Sequence, residues 1–122
     1  MEEDLWEVWS NLFVKFEEIK STLVVYLAGE LDHHNAEEVR VKIDDAIDIN
    51  QTSKVILDFT EVTFMDSSGI GVIVGRLKKI SSKDGKMCIA NINNRVYRVF
   101  DLSGLFKIIK TYNSVREALN NI

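Results

Sequence analysis

The chain has 122 residues, of which 46% are hydrophobic and 28% charged, and its formal net charge is −4. Those values describe one domain with a buried core and exclude a disordered chain. There is no proline and one cysteine, Cys88, so proline switching, an intramolecular disulfide framework and a CxxC zinc site are excluded.

Residues 1–12 read as an N-terminal extension. Leu5, Trp6, Trp9 and Leu12 recur at helical spacing, and Glu2, Glu3, Asp4 and Glu7 sit where acids favour a helix start. The two tryptophans either cover part of the core or meet a partner. The same acidic start has the wrong sign for a signal peptide, and no apolar run approaches the about 20 residues that a membrane span needs. A soluble, cytoplasmic protein without a membrane span is expected.

The domain is expected over residues 13–122. Phe13 to Glu18 alternate as a strand, Lys20-Ser21-Thr22 breaks it, and Leu23 to Ala28 is a β-prone run that Gly29 ends. The short break predicts an antiparallel hairpin. Asn35 reads as a helix N-cap, with Glu37 and Glu38 in the first turn and Val39, Ile43, Ala46 and Ile47 as the buried stripe. Lys54 to Phe59 is a third strand, too apolar for an edge, so the helix before it predicts a parallel crossover.

After Asp66, Ser67-Ser68-Gly69 opens a helix. Its expected buried stripe is Ile70, Ile73, Val74, Leu77 and Ile80, with Gly71, Val72, Gly75, Arg76 and Lys79 on the other side. Each glycine inside a helix costs roughly 1 kcal/mol relative to alanine. That cost implies either a smooth face that a partner approaches or tight packing within the fold. Asp84-Gly85 is a turn and Lys86 to Ala90 a fourth strand, in which Cys88 reads as an inert core residue. Asn93 or Asn94 caps a helix carrying Val96, Val99, Phe100 and Leu102 that ends near Gly104. Lys107 to Tyr112 is a short last strand, and Ser114 caps a final helix with Val115, Ala118, Leu119 and Ile122. The order β-β-α-β-α-β-α-β-α predicts a single α/β domain with a mixed sheet and about four helices.

Charge is divided unevenly. Residues 1–66 carry 16 acidic and 5 basic side chains, and residues 67–122 carry 3 acidic and 10 basic. The basic half is either a surface for a phosphate, nucleic acid or acidic partner, or a face attracted to the acidic half. Direct DNA binding is not expected, because the whole chain is acidic and its Lys/Arg are not interleaved with aromatics.

Enzymatic motifs are missing. Ser68-Gly69-Ile70-Gly71 is neither a phosphate loop nor a dinucleotide fingerprint, and there is no nucleophile elbow. Asp32-His33-His34 resembles the signature of the DHH phosphoesterases, but those enzymes need several further Asp/His motifs, and this chain has only these two histidines. No catalytic residue, metal ligand or cofactor is therefore assigned. Ser67 sits between a strand and a helix, where it is either a plain cap or a phosphorylation switch. Free N–H groups and the helix dipole at that point stabilise a negative group.

Three blocks carry a resemblance. They are Gly29-Glu30-Leu31-Asp32-His33-His34-Asn35-Ala36-Glu37, then Phe64-Met65-Asp66-Ser67-Ser68-Gly69-Ile70-Gly71-Val72-Ile73-Val74-Gly75-Arg76, then Phe100-Asp101-Leu102-Ser103-Gly104-Leu105-Phe106-Lys107-Ile108. In this order and spacing they resemble the STAS-domain anti-sigma factor antagonists of the bacterial sporulation and general-stress type. The resemblance covers about residues 13–122, and residues 1–12 have no counterpart. It implies a regulatory protein, not an enzyme, that works by partner switching. Unphosphorylated antagonist binds an anti-sigma factor, a serine kinase of the ATP-binding GHKL type, and frees the sigma factor for transcription. Phosphorylation of the serine matching Ser67 breaks the complex, and a PP2C-type phosphatase restores it. Asp32, Asp66, Ser68 and Gly69 would flank the site. Gly71, Val72, Gly75 and Arg76 would form part of the docking face. The alternatives are a STAS module of another assembly, such as a stress-sensing complex or a lipid-transport system, and a small metal-dependent hydrolase using Asp32, His33 and Asp66.

Overall fold

A computed structural model describes residues 12–122. The helical stripe expected around Trp6 and Trp9 lies outside the described residues. Leu12, placed at the end of that stripe, is instead the buried first residue of strand β1, Leu12–Ile19. β1 turns back into β2, Thr22–Leu31, through Lys20 and Ser21, both in the left-handed region at φ 50° and 68°. Such two-residue turns match the right-handed twist of the strands they join, and the pairing is antiparallel, with Ile19 opposite Thr22.

Helix α1, Ala36–Asn50, then leads to β3, Lys54–Met65; helix α2, Ser67–Ser81, to β4, Lys86–Ala90; and helix α3, Asn94–Ser103, through a 3-10 turn at Leu105–Lys107 to β5, Thr111–Tyr112. Helix α4, Val115–Asn121, ends the described chain. The sheet order is β1-β2-β3-β4-β5, antiparallel between β1 and β2 and parallel thereafter. The expected single α/β domain, mixed sheet, four helices and element order are all present. No helix among the described residues is long and apolar enough to cross a membrane.

Strand register explains why the central runs are apolar throughout. Val24, Ile56 and Cys88 are neighbours across β2, β3 and β4 and share one face; Val25, Leu57 and Ile89, one step on, share the other. The second face is covered by α1, α2 and α3, through Val39, Ile43 and Ile47, then Ile73 and Ile80, then Val96 and Phe100. Phe100 meets Phe59 edge-on at 5.5 Å. The first face is covered by α4 through Val115, Ala118 and Leu119. Both faces are therefore buried at the centre, as parallel strands require.

Four expectations change. Gly29 does not end β2; it sits inside it at φ 103°, beside a register shift, and the strand runs on to Leu31. β3 does not stop at Phe59 but continues to Met65. Asn91 and Asn93 tie its irregular middle down, donating to Asp58 Oδ1 and to the Phe59 and Val62 carbonyls. The last strand shrinks from Lys107–Tyr112 to two residues. Gly104 turns the chain left-handed at φ 80°, and the Ile108 and Ile109 amides both bond back to the Leu105 carbonyl. Leu102, placed on the apolar stripe of α3, is 74% exposed.

Candidate functional site

Leu31 and Met65 are paired at the last step of β2 and β3. The next residues, Asp32 and Asp66, therefore leave two adjacent parallel strands side by side. A helix begins shortly after each, so the positive ends of α1 and α2 lie at this C-terminal end of the two strands. Both carboxylates are occupied by backbone donors. The His34 and Asn35 amides donate to Asp32 Oδ1 at 3.0 and 3.1 Å. The Ser68 amide donates to Asp66 Oδ1 at 2.8 Å, and the His33 amide to Asp66 Oδ2 at 3.2 Å. One carboxylate thus caps α2 and holds the turn that leads into α1. Asn35 makes no side-chain cap of its own; its amide group donates instead to the Glu30 carbonyl at 2.9 Å.

Ser67 is the first residue of α2 and is exposed, whereas Asp32, Asp66 and Ser68 are half-buried. Gly69 lies buried beneath them. A Cβ there would collide with Met65 Cγ and stand 2.7 Å from the Leu31 carbonyl oxygen, so only glycine lets the first turn of α2 sit this close to β2. The five residues expected at the site, Asp32, Asp66, Ser67, Ser68 and Gly69, are brought together.

The expected docking face divides. Among the described residues, a Cβ added at Gly71 or Gly75 would meet nothing within 4 Å, so packing among them does not require either glycine. Val72 and Arg76, assigned to the same face, are buried. Val72 belongs to the main core, and Arg76 turns towards α1, where its Nε lies 2.7 Å from Asp44 Oδ1. That contact is an ion pair without hydrogen-bond alignment, and Arg76 Nη1 has no hydrogen-bond partner among the described residues. Burial lowers the guanidinium's pKa, and Asp44 acts against that shift. A charged residue on a helix ordinarily reads as solvent-facing, so the sequence pattern placed Arg76 outward.

His33 and His34 are exposed, with their rings in an edge contact at 5.6 Å. Among the described residues no group of three or more His, Cys, Asp or Glu is placed to hold a metal ion. Cys88 is buried and its thiol is pushed up to about 11 by that burial, so it is no nucleophile at neutral pH. What the arrangement offers is an exposed hydroxyl at a helix N-terminus beside two carboxylates, with an open, side-chain-free strip of helix behind it. The backbone link from His33 to Asp66 had no signature in the sequence, because an amide donor is present at every residue.

Residues 14–118 match the family model of the STAS domain. The chain is 43% identical over 112 residues to the anti-sigma F factor antagonist of Paenibacillus polymyxa, covering 92% of this chain and 96% of that protein. The solved structure of the anti-sigma factor antagonist SpoIIAA in its unphosphorylated form superposes with a TM-score of 0.77 at 34% identity, covering 88% of this chain and 94% of that one. The Bacillus cell fate determinant SpoIIAA in its phosphorylated form superposes with a TM-score of 0.69 at 33% identity, covering 88% and 97%.

Proposed function

The chain belongs to the STAS domain family, and we propose that within it the protein is an anti-sigma factor antagonist switched by phosphorylation of Ser67. One observation carries the switch: the Ser67 side chain is exposed at the first position of α2, on a cap that Asp66 already holds. Relatives named as anti-sigma factor antagonists, and a structural relative known in phosphorylated and unphosphorylated forms, support the same reading.

The mechanism is electrostatic. In the unphosphorylated state the partner, an anti-sigma factor with serine-kinase activity, docks over Ser67 and along the open strip at Gly71 and Gly75. Bringing its active site there also presents the Ser67 hydroxyl for phosphoryl transfer from the kinase's own ATP; the metal for that step belongs to the kinase. The hydroxyl oxygen gains the phosphoryl group, its proton is lost, and ADP leaves. The product carries about −1.5 to −2 charge at pH 7. The positive N-terminal end of the α2 dipole tolerates that charge, so the fold survives. The docked partner does not: the dianion adds to the negative charge of Asp66 and Asp32 and repels the acidic or apolar groups of a partner seated over Ser67. Each 1.4 kcal/mol of repulsion weakens binding about tenfold. A PP2C-type phosphatase resets the switch.

Incubation with the cognate anti-sigma kinase and ATP is expected to place one phosphate on Ser67, read by mass spectrometry. Phosphate found only at another residue overturns the assignment. Ser67→Ala is expected to keep its affinity for the anti-sigma factor and Ser67→Asp to lose about tenfold or more, by titration calorimetry. Equal affinities would overturn charge repulsion as the mechanism.

A further inference from the structure

At the end of the sheet remote from Ser67, β4 has an unfinished edge. β5 pairs only with Ile89 and Ala90, so Lys86, Met87 and Cys88 have no strand neighbour on that side among the described residues. Lys86 lies opposite Lys54, the first residue of β3, whereas Ser67 follows its last, Met65. At about 3.3 Å per residue, β3 separates the two places by roughly 35 Å.

A groove of about 280 Å³ opens beside this edge, with Met87, Ile108, Ile109 and Tyr112 among its apolar lining. A second, of about 420 Å³, continues from it along Phe106 to Tyr112. Ile108, shared by both, is 53% exposed. Three lysines rim the pair of grooves, Lys86, Lys107 and Lys110, and no acidic side chain lines either one. None of these lysines forms an ion pair among the described residues, unlike Lys79 on α2 and Lys83 in the turn after it.

We infer that this edge and groove form a second docking surface, for an extended acidic segment of a protein partner. Unpaired strand backbone favours an added strand over a nucleic acid, since main-chain bonding supplies affinity and alternate side chains enter the groove. The apolar lining takes one set of side chains. The three unpaired lysines select carboxylates for the other set and repel the same edge of a second copy. The surface lies far enough from Ser67 for a partner to stay bound whichever way that switch is set.

The test is NMR titration of the full, isotope-labelled chain with a capped peptide alternating Glu and Val, against a counterpart alternating Lys and Val. The acidic peptide is expected to move the Met87, Cys88, Ile108 and Lys110 amides and to leave Ser67 and Gly71 in place. The Lys86→Glu/Lys110→Glu variant, whose unchanged fold the untouched resonances report, is expected to bind at least about tenfold more weakly. No movement at the groove, or an equal response to the lysine peptide, overturns the proposal. So does movement of the same amides on dilution of the protein alone, which would make a second copy the occupant.

Discussion

Gly69 is the residue on which the geometry of Ser67 turns. Its missing side chain lets the start of α2 touch the Leu31 carbonyl, and Asp66 then closes the turn by accepting from Ser68. Gly69→Ala is expected to destabilise the fold by about 1–3 kcal/mol, because Met65 can move aside but the Leu31 backbone cannot. Urea unfolding measures the loss. On the proposed switch, phosphorylation of that variant should slow as well, since the displaced first turn carries the Ser67 hydroxyl. The sequence pattern placed Ser67, Ser68 and Gly69 at the start of a helix, and only their resemblance to a family marked them as a site. Spacing alone left Ser67 as a cap or a switch, because a cap and a phosphorylation site ask for the same small polar residue.

At the scale of the element, α2 has two glycines that its own packing does not need. Gly71→Ala and Gly75→Ala are each expected to stabilise the isolated protein by up to about 1 kcal/mol, since alanine is the better helix former and its Cβ meets open space. On the docking proposed above, the same substitutions are expected to weaken anti-sigma factor binding about tenfold, because the added methyl groups roughen the strip. Thermal unfolding and calorimetric titration read the two effects with opposite sign. Where apolar periodicity was clean, the sequence placed the element correctly. The stripe Val39, Ile43, Ala46 and Ile47 is the buried face of α1. Where polar residues interrupt a strand, it did not. Thr60, Glu61 and Thr63 hid the continuation of β3, which depends on side chains from Asn91 and Asn93 far along the chain. Gly29 hid the end of β2 in the same way, since a glycine inside a strand looks like its terminus.

For the whole molecule, the uneven charge found in the sequence is partly spent between α1 and α2. Asp44 meets Arg76, and Asp48 meets Lys79 at 3.0 Å and Lys83 at 3.7 Å. The acidic and basic halves therefore attract each other along this seam, while Lys86, Lys107 and Lys110 remain outside it. The buried member is the sensitive one. Asp44→Ala is expected to cost about 3 kcal/mol, because Arg76 is left charged, enclosed and without a carboxylate. Asp44→Leu combined with Arg76→Met is expected to recover most of that loss by chemical unfolding, since the pair itself contributes little beyond its own desolvation. Among the described residues the opposite face of the sheet has a thinner cover, the seven residues of α4 lying over Val24, Ile56 and Cys88. The thiol beneath that short helix is a built-in stopwatch. Alkylation of Cys88 by a small reagent at pH 8 is expected to be slow while α4 stays docked, so its rate reports how readily the C-terminal segment departs. Leu119→Ala should quicken the clock, and labelling at the speed of an unfolded chain would mean that the last helix is no cover at all.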